Sequence, residues 1–349
     1  MTLSQTASIT KKIIVLTILA LFVGTVGFIG YKIWYAYYLS TLPKVEEKPD
    51  LKFGSLPAPN FPQVTVSSSN YSYSLDTQTG GLPKVGIDSG FEKIIKVYFI
   101  TKSFASLLSA DRSQTLAEKF GIFSAPQILT ETQYQFNSAN KTLLVNLDTG
   151  NFSYTKQASI SATPSLDDDN KLVSDFERFL NLIGYLKEDL KTGRTKVILL
   201  KNDSGLLSPT TLRSEAVGTL ISLWPSPIDK KSIFTPDFNK ALVNATVLTS
   251  AQNLEDYLFI NFTYYPIDTT TFGTYPTKSA EEAFDDLKNG AGVVVVEPLK
   301  PQVSISSVYL GYYLPQIYSP YLQPIFVFEG PNFVAYVPAV NSQYLNPAR

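Results

Sequence analysis

The chain has 349 residues, 44% of them apolar, with 29 basic and 30 acidic residues for a net charge of −1. Its length allows one large or two ordinary domains, and its balanced charge gives no field that would draw nucleic acid. It contains neither cysteine nor histidine, which excludes disulfides, thiolate nucleophiles, Ser-His-Asp and Cys-His constellations and His-based metal sites; chemistry would need carboxylates, a Ser–Lys pair or an oxygen-ligated ion.

Ile13 to Tyr31 reads IIVLTILALFVGTVGFIGY without a charge. As a helix it spans about 28 Å, close to the hydrocarbon thickness of a bilayer. Lys11 and Lys12 precede it, and Lys32, Trp34, Tyr35, Tyr37 and Tyr38 follow. These are residue types that snorkel or sit at the membrane interface, so residues 13–35 are expected to cross the bilayer in contact with lipid. Cleavage of a signal peptide needs small residues, and the bulky Trp34-Tyr35-Ala36-Tyr37-Tyr38 stands there instead, which favours an uncleaved anchor. Lys44, Lys48 and Lys52 balance the lysines ahead of the helix. Residues 1–12 hold no acid, however, and a short basic tail ahead of an uncleaved anchor predicts a cytoplasmic N-terminus and an exported C-terminal part, single-pass in the plasma membrane.

Residues 36–65 read as a spacer, because Pro43, Pro49, Pro57, Pro59 and Pro62 favour extended backbone. Such a stretch would reach up to roughly 70 Å. A first α+β domain is expected over 66–160. Within it Tyr71, Tyr73 and Leu75 alternate as in a strand, Lys96 to Thr101 is another, and Leu107, Leu108, Leu116, Ala117 and Phe120 give a helix stopped by Gly121. Strands follow at Gln133 to Phe136, Leu143 to Leu147 and Phe152 to Thr155, the last two joined by an Asp148-Thr149-Gly150 turn.

A second α+β domain is expected over 161–349. Ser165 or one of Asp167 to Asp169 caps a helix whose stripe is Phe176, Phe179, Leu180 and Ile183. Strands are predicted at Lys196 to Leu200, Ala216 to Leu223, Leu242 to Leu248 and Tyr257 to Tyr264. Ser279 with Glu282 opens a further helix through Ala283, Phe284 and Leu287, closed by Asn289-Gly290. Strands at Val293 to Val296, Val303 to Leu310, Ile325 to Phe328 and Phe333 to Val337 complete the chain. The helix-then-meander order recurs, and the fold class is α+β: one transmembrane helix, then helices packed on antiparallel sheets in what reads as an internal duplication.

The helix and meander around Leu143 to Tyr154 (LLVNLDTGNFSY) resemble the PepSY-type module of bacterial exported proteins, whose hairpin carries a D-x-T-G-like turn; here Asp148-Thr149-Gly150 has one residue fewer. The anchor, with the later stretches YPTKSAEEAFDDLKNG and VYLGYYLPQIYSPYLQPIFVF, is similar to the YycH/YycI type of extracytoplasmic regulator. Both resemblances imply a regulatory or binding role and no catalytic residues, and the layout resembles single-pass exported bacterial proteins generally.

Asp167-Asp168-Asp169-Asn170 has the acidic density of a calcium loop but neither its Gly nor its Glu, and reads as a helix start. Glu281, Glu282, Asp285 and Asp286 contain the carboxylates a glycan hydrolase would need, and read as a solvated helix face. Tyr309, Tyr312, Tyr313, Tyr318 and Tyr321, interleaved with Pro315, Pro320 and Pro324, are candidates for partner contact, with packing along a sheet rim as the alternative. Six Asn-x-Ser/Thr sequons stand at Asn70, Asn140, Asn151, Asn202, Asn244 and Asn261. The expected function is a non-catalytic envelope sensor, regulator or binding module that needs no cofactor or metal. Its expected partners are an envelope membrane protein or a cell-wall polymer. A self-assembling structural protein and a carboxylate-dependent glycan hydrolase are the alternatives.

Overall fold

A computed structural model describes residues 3–41, 48–78, 80–84, 91–158 and 166–346, with the side chains of 1–15 and 39–47 outside the described set. The chain divides into two units, Met1–Lys48 and Pro49–Arg349.

The first unit is one helix, α1 (Leu3–Thr41). Its stretch Leu16–Tyr38 is 23 residues long and apolar enough to cross a membrane, as an anchor or a signal sequence would be. At its C-terminal end residues three or four apart share a face, which stacks Trp34 on Tyr38 (5.7 Å) and Tyr31 on Tyr35 (6.0 Å) and lays Lys32 over Phe28. The side chains of Lys11 and Lys12 lie outside the described residues.

In the second unit the described strands are, in chain order, β1 (Leu56–Pro57), β2 (Ser72–Leu75), β3 (Ile94–Ile100), β4 (Gln127–Thr130), β5 (Gln133–Ser138), β6 (Lys141–Asn146) and β7 (Phe152–Lys156). After them come β8 (Thr195–Asp203), β9 (Leu206–Thr210), β10 (Gly218–Leu223), β11 (Ile233–Phe234), β12 (Val243–Val247), β13 (Tyr257–Phe262) and β14 (Ile267–Pro276). The last are β15 (Val293–Val296), β16 (Gln302–Ile305), β17 (Ser307–Tyr313), β18 (Tyr321–Gly330), β19 (Phe333–Pro338) and β20 (Leu345–Asn346). The helices are α2 (Ser109–Lys119), α3 (Asp169–Ile183), the single turn α4 (Glu188–Lys191) and α5 (Ala280–Lys288).

Nine strands form one antiparallel sheet in the order β4-β5-β6-β7-β13-β12-β10-β8-β9. Alternation puts Phe136, Leu143, Val145, Phe152 and Tyr154 on one face, where the stripes of α2 (Leu116, Ala117) and α3 (Leu172, Phe176, Phe179, Leu180, Ile183) cover them. Phe179 packs on Tyr257 at 4.7 Å and Phe120 on Tyr154 at 4.7 Å, contacts that add about 0.5–1.5 kcal/mol each beyond the area they bury. A register shift at Thr246/Val247 turns Tyr257 onto the same buried face as Ile260 and Phe262, which strict alternation would not allow. Asp168 supplies the cap of α3, its carboxylate accepting from the Asn170 N–H.

Residues 159–165, around the expected seam at 160/161, lie outside the described set. On either side of them β7 pairs with β13, and α2 and α3 share one core, so a single sheet and core run through the expected division.

The second sheet orders β11-β17-β18-β19-β15, with β3 joined to β18 and β14 to β3. Helix α5 packs on it through Ala280, Ala283 and Leu287, started by a complete capping box: Ser279 Oγ accepts from the Glu282 N–H, and the Glu282 carboxylate accepts from the Ser279 N–H. The run expected as one strand from Val303 to Leu310 is two. β16 pairs in parallel with β2, while β17 turns at Ser306 to pair with β18. The break is tight: a Cβ on Gly330 would stand 2.0 Å from the Ser304 carbonyl oxygen.

The Pro-rich stretch 36–65 departs from a free spacer. Its start belongs to α1, residues 42–47 lie outside the described set, and from Asp50 onward it is stitched to the second unit. Asp50 Oδ1 accepts from the Thr274 N–H at 2.7 Å, β1 pairs in parallel with β20, and the Pro57 carbonyl accepts from Gln323 Nε2. Pro57 is accommodated because its missing N–H falls on a two-residue edge pairing.

Candidate functional site

A cleft of about 560 Å³ opens where three pieces of chain converge: the loop 103–106 with the start of α2, the turn between β6 and β7, and the end of α3 through Lys187. Helical spacing selects what α2 shows it. Ser109, Arg112, Ser113, Leu116 and Lys119 recur three or four apart and line the cleft, whereas Asp111 and Glu118 stand one step round the helix and do not. Like charges seven residues apart thereby share a face, and the adjacent opposite charges fall on different ones.

The turn is held by its own side chains. Asn146 Oδ1 accepts from both the N–H and the hydroxyl of Thr149, and Thr149 Oγ1 accepts from the Asn151 N–H. Gly150 has φ of 72°, the left-handed backbone that a residue with a Cβ resists. Asp148 Oδ1 accepts from the Ala105 N–H at 2.9 Å, tying the rim loop to the turn, and Lys119 Nζ donates to the Ile183 carbonyl at 3.0 Å, tying α2 to the end of α3. Below, Tyr185 lies edge-on to Phe152 and Phe262, both at 5.0 Å. Burial pushes the Tyr185 phenol up, and the Arg112 charge opposes this.

The lining therefore carries three cations, Arg112, Lys119 and Lys187, against one acid, Asp148, with hydroxyls from Ser103, Ser106, Ser109, Ser113, Thr115, Thr149 and Tyr185 between them. Such a surface attracts an anion; Ser113, Thr115 and Thr149 already donate to Ala110, Asp111 and Asn146, which leaves the cations and the other hydroxyls to meet it.

A smaller cleft of about 460 Å³ also uses Lys187, with Glu188, Asp189, Ser226, Tyr264 and Thr269. Asp189 accepts from the Tyr264 hydroxyl at 3.0 Å, and burial raises its carboxyl. Its chain neighbour Glu188 turns to solvent and pairs with Lys191 at 2.7 Å. Neither cleft opposes two carboxylates across a gap, the arrangement glycoside hydrolysis needs.

The other acids singled out by sequence, the exposed Glu281 aside, are engaged elsewhere. Asp167 pairs with Lys171, and Asp169 with Arg213 at 3.2 Å. Glu282 closes the capping box, Asp286 pairs with Lys278, and Asp285 with Lys288. Among the described residues no group of three or more Asp or Glu could hold a metal ion. Of the sequons, Asn244 is buried and donates to the Ala241 carbonyl, a position no glycan-transferring enzyme reaches in the folded chain.

The five candidate tyrosines are distributed through packing positions. Tyr312 and Tyr313 are 0% and 1% exposed, their hydroxyls donating to the carbonyls of Lys96 and Asn60. These two correct the expectation of a contact surface: a partner could not touch either without unfolding β17. Tyr309 donates to Glu329 at 2.7 Å, Tyr318 to the Ile100 carbonyl, and Tyr321 packs on Phe53 at 4.9 Å. A buried phenol is tolerated because the fold supplies an acceptor for its hydroxyl.

Sequence reasoning missed the cleft cations and misplaced two leucines. Leu107 and Leu108, read as part of the α2 stripe, precede the helix and are 100% and 56% exposed. The signal that would have found the cleft is Ser109, Arg112, Ser113 and Lys119 on one helical face with the acids on the next.

No family model and no curated protein matches the chain. Among solved structures it is similar to YycH from Bacillus subtilis, at 13% identity and TM-score 0.34, covering 74% of this chain and 56% of that one. It is likewise similar to an uncharacterized protein from Eubacterium rectale, at 13% identity and TM-score 0.34, covering 77% of this chain and 89% of that one. The chain thus spans just over half the length of the YycH structure. Likeness at this level says nothing about activity.

Proposed function

We propose that this chain is a single-pass membrane protein, retained by α1 with its N-terminus in the cytoplasm, whose extracytoplasmic unit is a non-catalytic regulatory or binding module that holds an anionic group in the basic cleft. One observation carries the reading: the cleft presents three cations and a set of hydroxyls, and its one carboxylate is committed to a backbone N–H. That arrangement binds charge, with no second carboxylate to face Asp148. An envelope membrane protein or an anionic cell-wall polymer is the proposed partner.

The test uses the full chain in membranes. Resistance to alkaline extraction, and digestion of the C-terminal unit by protease added from the extracytoplasmic side, are the expected results for topology. A photo-crosslinking residue in place of Thr115, an uncharged and exposed lining residue, is expected to capture an envelope membrane protein or polymer, and an adduct-free position 115 in intact cells would sink the binding module.

Self-assembly has one observation behind it, the exposed Ile128 and Leu129 on the edge strand β4. That edge is short and interrupted by a register shift, and the opposite edge β9 contains Pro209, which lacks an N–H to offer. Light scattering that rises with concentration would favour the structural reading.

A further inference from the structure

The rim of the basic cleft carries an apolar tip that no described residue covers. Phe104 lines the cleft and is 70% exposed, and Leu107 and Leu108 follow at 100% and 56%. Lone exposed apolar side chains are ordinary on a protein surface, but three within five residues on one loop form a patch. Lys102 lies over the Phe104 ring at 5.1 Å and over Tyr318 at 5.8 Å, which brings the exposed Ile317 beside the same loop. The loop is fixed rather than loose: Asp148 accepts from the Ala105 N–H, and the Ser106 N–H donates to Ser109 Oγ.

We propose that the loop Lys102–Leu108 and the basic cleft behind it together form a peripheral docking surface for an anionic phospholipid leaflet, with Phe104, Leu107 and Leu108 entering the headgroup–acyl boundary and Lys102, Arg112, Lys119 and Lys187 meeting lipid phosphates. Charge complementarity selects this occupant. Apolar tips flanked by exposed cations match an interface that is apolar within and negative at its surface, whereas a second copy of this chain would set the same four cations against themselves. The apolar residues need no complementary pocket in a bilayer, which suits side chains that project into solvent instead of lining a groove. The proposal rests on the anion-binding reading of the cleft and assigns the anion to lipid phosphate in place of a protein or wall polymer. Tethering by α1 would keep the leaflet at high effective concentration, so that weak contacts suffice.

The absence of cysteine makes the test clean, since Leu107→Cys carries the sole thiol. The full chain bearing this substitution, labelled with an environment-sensitive fluorophore, is placed in nanodiscs of phosphatidylcholine alone and of phosphatidylcholine mixed with phosphatidylglycerol. The expected result is a blue shift and protection from an aqueous quencher in the anionic discs alone. Arg112→Gln and Lys187→Gln, both exposed side chains, are expected to weaken docking about fivefold each, and high salt to abolish it. A label at Leu206→Cys, five strands away across the nine-stranded sheet, should stay in water throughout, and unchanged melting of the Gln variants verifies their folding.

A label at position 107 that stays solvent-exposed in both lipids overturns the proposal. So does insertion that ignores lipid charge and both Gln substitutions, or protection obtained with soluble polyglutamate and not with lipid. That last result would leave the anion-binding cleft standing and assign it to an acidic protein segment, so the two readings fail separately.

Discussion

The two sheets of the second unit are assembled in different ways. The nine-stranded sheet takes every strand from residues 127–262, largely as antiparallel neighbours close in sequence, under two helices whose stripes face it. The seven-stranded sheet gathers β3 from residues 94–100, β14 from 267–276 and the remainder from 233–338, and receives segment 50–61 across more than two hundred residues of chain. Local pairing closes small loops, and distant pairing closes large ones. The first sheet is therefore held by its own hairpins, while the second depends on strands that have no reason to meet until the rest has folded.

The largest tests of that contrast remove core rings. Phe176→Ala under the nine-stranded sheet and Phe326→Ala in the other each delete a fully buried ring and should cost about 3–5 kcal/mol in urea denaturation. Amide hydrogen exchange follows β6 in the first sheet and β18 in the second. One transition in both variants would show that the sheets unfold together, and retained protection of β6 in Phe326→Ala would show that the local sheet stands without its partner. Tyr312→Ala should cost a similar amount, about 3–5 kcal/mol, because that ring is core despite its place in the tyrosine-rich tail.

Smaller changes sharpen the comparison. Tyr318→Phe removes one hydrogen bond, to Ile100, and should cost about 0.5–1.5 kcal/mol by the same denaturation. Asp168→Ala and Ser279→Ala delete the caps of α3 and α5, one per sheet, and should cost about 1 kcal/mol each. Unequal losses would mean that one helix is positioned by its cap and the other by packing. The smallest effect concerns Glu255, which accepts from Lys141 of β6 and Lys156 of β7 and so ties the start of β13 to the strands before the seam. Those hydrogen bonds hold its carboxyl down to about 2. A lowered pKa stabilises the folded state above the ordinary carboxyl value of 4.5 and loses that contribution as pH falls from there toward about 2. Glu255 is mostly exposed, so Glu255→Gln should flatten this acid limb by less than about 1 kcal/mol, read from melting temperature against pH.

Much of the local sheet is legible in the sequence. The hairpin at Asp148-Thr149-Gly150, the stripe of α3 and the capping box of α5 are patterns within a dozen residues, and each is present in the structure. β4, β9 and β14 stand outside the strands that the sequence predicts. The first two are short edge strands, and β14 is a Thr-rich run whose pairing with β3 breaks register between Asp268 and Phe272. The cleft shows the same limit: Arg112 and Lys119 share a helical face in the sequence, but Asp148, Tyr185 and Lys187 join them only through the fold.

The sequence alone determined the membrane-length helix, the amphipathic helices with their caps, and the absence of thiol and imidazole chemistry, because composition and short-range periodicity carry that information. The tertiary structure alone decided that Tyr312 and Tyr313 are core, that the Pro-rich segment is stitched down from Asp50, and that Leu107 stands in water beside a basic cleft. A tyrosine, a proline or a leucine is compatible with either surface or interior, and which it occupies depends on the distant backbone that supplies a hydrogen-bond partner or a covering face.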